Sequence, residues 1–145
     1  GYFGADPLRL SCEKCFEGFL CFGVTSSRAY GTTRGDPTDL ANEGGVICPV
    51  GHFCPLGSFK ASPCGKGTYN QNSGSYNASN CTKCPENYFN NQTGQDTCYP
   101  CGGTSYSSDD QTFCQCKGRN RVFQSSDSAC RCIPGYVIFD SGGNP

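Results

Sequence analysis

The chain of 145 residues contains no methionine and no tryptophan, and its only histidine is His52. Leu, Ile, Val and Phe together number 23, too few to offset the ordering entropy of such a chain in one conventional core. No apolar run approaches the ~18 residues needed to span a bilayer as a helix, so direct membrane insertion of this segment is not expected. Charge of one sign is missing as well: 11 basic and 12 acidic residues leave a net charge of −1, without the basic stripe that nucleic acid requires. The one local basic cluster, Arg119 and Arg121 in "KGRNR", reads as a solvated loop. Catalytic signatures are equally scarce. There is no G-x-S-x-G elbow, phosphate loop or metal-ligand helix. His52 in "GHFC", the pair Asp109 and Asp110, and Asp36 and Asp39 in "GDPTD" read as loop and turn residues. Neither an enzyme nor a cofactor or metal site is expected.

What the chain has is cysteine, 14 in all, and a rhythm built on it. Cys15, Cys48, Cys64, Cys84 and Cys101 open "CFEGFL", "CPVGHF", "CGKGTY", "CPENYF" and "CGGTSY". Each is a Cys-x-x-Gly-x-aromatic unit, with Asn or Thr replacing the glycine in two and Leu replacing the ring in one. A Gly or Asn at the third offset tolerates positive φ and lets the chain turn just after the cysteine. The ring two residues later is placed to lie over the nearby disulfide as a miniature core. Polar turn sequences follow ("NQNSG", "NNQTG", "SSDD"), and the chain then returns to Cys81, Cys98 and Cys114. Each unit reads as a short hairpin closed at its base by one bridge. The expected fold is a small disulfide-rich one, an elongated tandem array of short irregular β-hairpin modules with almost no helix.

Cys-x-x-Cys pairs at 12/15, 81/84 and 98/101 also resemble a four-thiolate zinc site. That reading leaves Cys64, Cys114, Cys116 and Cys130 as unexplained thiols. The hairpin reading gives each a partner, as 64–81, 84–98, 101–114 and 116–130, and makes Cys-x-x-Cys the junction between modules. The pairing of Cys12, Cys15, Cys21, Cys48 and Cys54 stays open, with Cys12 the choice for a partner outside the segment. Cys132 is left without one, and the natural chain is accordingly expected to extend past Gly1 and past Pro145. Three N-x-[ST] sequons, at Asn77, Asn80 and Asn91, point to the secretory pathway and to N-linked glycans, with Asn91 at a hairpin tip. The cysteine-free stretch 24–46 breaks the rhythm and carries Arg28, Tyr30, Arg34, Asp36 and Asp39, candidates for a contact loop.

The run "CTKCPENYFNNQTGQDTCYPCGGTSYSSDDQTFCQC" from Cys81 to Cys116 resembles the ephrin-receptor-like cysteine-rich repeat, a relative of the tumour-necrosis-factor-receptor and EGF-like modules. "CIPGY" in the last segment is similar to the C-x-x-G-Y of EGF-like ends, and "CPVGHFCPLGSFKASPC" to repeats of very large extracellular proteins. The triple C-x2-C-x2-C of the tumour-necrosis-factor receptors and the acidic ligand set of calcium-binding EGF modules are absent. The resemblance covers about residues 48–139 and divides the chain into an N-terminal cysteine-containing segment (1–47), a cysteine-rich repeat (48–63), tandem ephrin-receptor-like repeats (64–116) and an EGF-like segment (117–145). It implies a secreted or cell-surface location. The expectation is a non-catalytic structural or assembly module of a larger glycoprotein in a surface coat, matrix or filament, with neighbouring copies or repeats as protein partners. A ligand-binding receptor ectodomain and a protist surface antigen are the alternatives.

Overall fold

The computed structural model describes residues 2–3, 13–21 and 45–139. They form fourteen short strands, all in two-stranded antiparallel pairs: β1 (Tyr2–Phe3) with β2 (Glu13–Lys14), β3 (Phe19–Cys21) with β4 (Gly45–Ile47), β5 (His52–Phe53) with β6 (Ser62–Pro63), β7 (Thr68–Tyr69) with β8 (Thr82–Lys83), β9 (Tyr88–Phe89) with β10 (Tyr99–Pro100), β11 (Ser105–Ser107) with β12 (Cys114–Cys116), and β13 (Arg121–Gln124) with β14 (Ala129–Cys132). Among the described residues the one helical element is a single 3-10 turn, Ala78–Asn80. From β3 to β10 the placement follows the cysteine rhythm. The first strand of a hairpin begins at the fourth offset from the opening cysteine, and the second lies just before the next opening cysteine.

Two kinds of bridge staple the units. Cys64–Cys81, Cys84–Cys98, Cys101–Cys114 and Cys116–Cys130 enclose separations of 17, 14, 13 and 14 residues, with the partners that the hairpin register assigns. Cys15–Cys21 and Cys48–Cys54 close only six. Cys132 is a free cysteine, and Cys12 lies outside the described residues. So do Arg28, Tyr30, Arg34, Asp36 and Asp39 of the proposed contact loop, whose last two positions, 45 and 46, belong to β4.

The units are joined by a repeated backbone ladder. The third-offset residue lends its carbonyl to the amide of the next opening cysteine: Cys48 to Gly18 at 2.8 Å, Cys64 to Gly51 at 2.8 Å, Cys84 to Gly67 at 2.9 Å and Cys101 to Asn87 at 2.8 Å. Its own amide donates forward to the sixth offset of the following unit. Gly18 reaches the Cys54 carbonyl at 2.8 Å, Gly51 that of Asn70 at 2.7 Å and Gly67 that of Asn90 at 2.8 Å. Asn87 reaches the Ser107 hydroxyl at 3.1 Å instead. At the Cys116 junction the ladder slips by one residue, and Lys117 donates to Thr104.

Gly51 and Gly67 are required by more than their positive φ of 73°. A Cβ on Gly51 would run into the carbonyl oxygen of Gly94, and one on Gly67 into that of Asp110. Both carbonyls belong to the unit after next. The hairpins opened by Cys48 and Cys64 therefore lean on the turn two units along as well as on their immediate neighbours. Asn87 holds φ 64° at the equivalent place, and it is exposed.

The hydrophobic content is distributed over these joints. Leu20 packs with Cys48 and Cys54, and Phe89 with Cys101, Cys114 and Phe123. At Leu20 and Phe89 the fifth-offset side chain thus packs on a nearby disulfide, and that bridge is the one of the following unit. Tyr106, at the equivalent position of the Cys101 unit, is exposed and donates through its hydroxyl to Gln115 Oε1 at 2.9 Å. Phe89 and Phe123 meet edge to face with centroids 5.5 Å apart, a favoured aromatic geometry.

Candidate functional site

The sixth offset holds the least expected side chains. Cys21, Cys54, Asn70 and Asn90 occupy it in successive units, and all four are almost fully buried. "NQNSG" and "NNQTG" look like solvated turns, yet the first asparagine of each faces inward. Asn70 Nδ2 donates to the carbonyl of His52 at 3.0 Å and to the Ser75 hydroxyl at 2.8 Å, while its Oδ1 accepts from the Asn72 amide at 3.1 Å. Asn90 repeats this with the Thr68 carbonyl at 2.8 Å and the Gln92 amide at 3.0 Å. Where the earlier units have a cysteine bridged back to the opening residue, the later ones have an amide that ties the unit to the strand before it. Burial of an asparagine is tolerable only when its donors and acceptors are met, and here they are.

The three sequon asparagines sit in different settings. Asn77 caps the 3-10 turn by accepting from Ser79 N at 3.0 Å, and Asn80 Oδ1 accepts from Asn77 N at 2.9 Å. Together they form a reciprocal capping box, immediately ahead of bridged Cys81. Asn91 is exposed just past β9. It lines a cleft of about 200 Å³ together with Phe89, Gln92, Tyr99 and Ser125. Four of these residues come from the Cys84 unit and Ser125 comes from the turn of the last hairpin. Phe89 is buried and Tyr99 is 48% exposed, and their centroids are 6.2 Å apart. The cleft is smaller than the ~300–1,000 Å³ of ordinary small-molecule pockets.

His52 and Asp110 are each committed to local structure. His52 Nδ1 lies 2.8 Å from the Val50 carbonyl. Asp110 Oδ1 accepts from the hydroxyls of Ser108 at 2.6 Å and Thr112 at 2.8 Å and from the Thr112 amide at 3.2 Å. The Ser108 hydroxyl, then the Thr112 groups, hold its carboxyl below the ordinary carboxylate value. Among the described residues no cluster of three or more His, Cys, Asp or Glu side chains is arranged to hold a metal ion, and no helix is long and apolar enough to cross a membrane. Exposed apolar side chains recur along the array, among them Leu56, Phe59, Tyr99, Phe113 and the run Tyr136–Phe139.

The sequence reading missed Asn70, Asn90 and the cleft that Tyr99 and Ser125 line from different units. A signal for the asparagines did exist: both stand six residues after an opening cysteine, in the register that Cys21 and Cys54 occupy. No protein-family model matches the chain, and no curated protein matches it.

Proposed function

We propose that the chain is a non-catalytic structural or assembly module of a larger secreted glycoprotein, built on repeats of the ephrin-receptor-like and EGF-like kind. One observation carries the reading: the ladder in which each third-offset residue from Gly18 to Asn87 is bonded twice to the following unit, by its carbonyl to the opening cysteine and by its amide to the sixth offset. Such a ladder resists bending at junctions that are usually hinges between small modules, and the bridges confine unfolding within each unit. A stiff spacer needs these properties and needs no pocket for chemistry. The cysteine density supports an oxidising, extracellular location. Exposed side chains such as Leu56 and Phe59 are available for packing against neighbouring copies or repeats.

The test uses the full chain secreted from eukaryotic cells. It should be recovered oxidised and resist trypsin until a reductant is added. Pulled by its ends, it should gain no extension from the segments inside its bridges. Cleavage between units at native conditions, or free bending at the junctions in scattering measurements, would overturn the spacer reading. Saturable one-to-one capture of a soluble protein, with no self-association, would favour the receptor alternative.

A further inference from the structure

We propose that Asn91 carries an N-linked glycan whose first N-acetylglucosamine seats in the cleft formed by Phe89, Gln92, Tyr99 and Ser125, clamping the Cys84 unit to the last hairpin. This rests on the secretory reading above and goes beyond it by giving the sugar a structural place. The sequon Asn91-Gln92-Thr93 lies at the lip of the cleft, and Asn91 and Gln92 line it. Attachment needs only the standard transfer. Asn91 Nδ2 attacks the anomeric carbon of a lipid-diphosphate-linked oligosaccharide, the new C–N bond replaces the C–O bond, the lipid diphosphate leaves, and the amide proton passes to the transferase.

The cleft has the chemistry that a hexosamine ring prefers. The Tyr99 ring is nearly half exposed, offering an aromatic face to the axial C–H groups of a sugar, which carry partial positive charge toward the negative π face. Gln92 and Ser125 supply polar groups at the margin. A volume of about 200 Å³ is on the scale of one monosaccharide and below that of ordinary ligand pockets. The tether removes most of the entropic cost of binding, because the sugar is already at the site. The neighbouring residue contrasts: Asn90 is buried and bonded to Thr68, so the turn at 90–91 sends one amide into the joint and the other to the surface. Asn77 and Asn80 lie on the separate capping box.

The experiment uses the full chain carrying Ser79→Ala and Thr82→Ala, so that Asn91 is the remaining sequon, secreted from eukaryotic cells and purified oxidised. Peptide mass spectrometry should find a glycan at Asn91 on most molecules. Thermal unfolding should place the protein trimmed enzymatically to one N-acetylglucosamine level with the fully glycosylated form. Both should melt about 2–4 °C above the Thr93→Ala form, and Tyr99→Ala should erase that difference. A vacant Asn91, a difference that survives Tyr99→Ala, or one that disappears on trimming to a single sugar would each overturn the proposal. A vacant Asn91 in an oxidised protein whose wild-type form is glycosylated at Asn77 would leave the secreted-module reading standing. Recovery as a reduced, unglycosylated chain would remove both.

Discussion

The side-chain amide of Asn90 donates to the backbone carbonyl of Thr68 across 22 residues of sequence, at 2.8 Å, and so joins one disulfide-closed unit to the strand of the unit before it. Asn70 makes the same bond to His52. In a chain with so little aliphatic mass, these buried amides do between later units what bridges do within the earlier ones.

Replacing Asn90 should show how much such a joint contributes. Asn90→Ala strands the Thr68 carbonyl and the Gln92 amide, and the expected loss is about 1–3 kcal/mol, read from denaturant midpoints of the oxidised protein. Asn90→Asp should be at least as damaging near neutral pH, because a carboxylate would face the Thr68 carbonyl. Its deficit should shrink as acid protonates it. Equal stability of wild type and Asn90→Ala would mean that the bond is incidental.

The glycines of the ladder give a prediction with an internal control. Gly67→Ala must accept positive φ and push against the Asp110 carbonyl, so it should cost more than the ~1–2 kcal/mol of a left-handed alanine alone. Gly65→Ala, two residues away with no atom within 4 Å of an added Cβ, should be close to neutral. Similar unfolding midpoints for the two variants would rule out the close contact between units.

The bridges should differ in weight according to the chain they enclose. Loop-closure entropy gives about 3 kcal/mol for separations of 13–17 residues and about 2 kcal/mol for the six-residue Cys48–Cys54, on the chain-entropy model. Paired Cys→Ser variants of Cys101–Cys114 should therefore be destabilised more than those of Cys48–Cys54. Loss of Cys101–Cys114 also strips the cover from Phe89. Complete reduction should abolish cooperative unfolding.

Acid should act on the turn at 108–113 through Asp110. Its carboxyl is held below the ordinary aspartate value by Ser108 and Thr112. The stabilisation is therefore fully present above that value and is lost as pH falls through the lower folded one. The turn carries the Gln111 carbonyl that accepts from Asn90 N at 2.9 Å, so the amide signals of Asn90, Thr112 and Phe113 should shift together in an acid titration followed by NMR. Asp110→Asn keeps an acceptor oxygen and should flatten the response. An unchanged titration in that variant would place its origin elsewhere.

The cysteine spacing was enough to read the hairpins, the lack of long helix among the described residues, and the partners of Cys64, Cys84, Cys101 and Cys116. A bridge closing on its own module is a local event, and the offsets of Gly, Asn and aromatic residues from each cysteine are local too. The asparagines were harder. Asn70 and Asn90 stand in sequences rich in turn formers, and their burial depends on the neighbouring unit folding over them. The same holds for Phe89, which covers the bridge ahead of it, and for the cleft that brings Ser125 beside Tyr99. Periodicity names the unit because each unit repeats its own short-range geometry. It does not say that Gly67 will meet Asp110, or that Asn91 and Asn90 will face opposite ways. Those outcomes depend on how far each hairpin rotates onto the next. That rotation is set by hydrogen bonds and contacts between units, from Gly51 and Cys64, 13 positions apart, to Gly67 and Asp110, 43 apart, whose partners the spacing within one unit does not name.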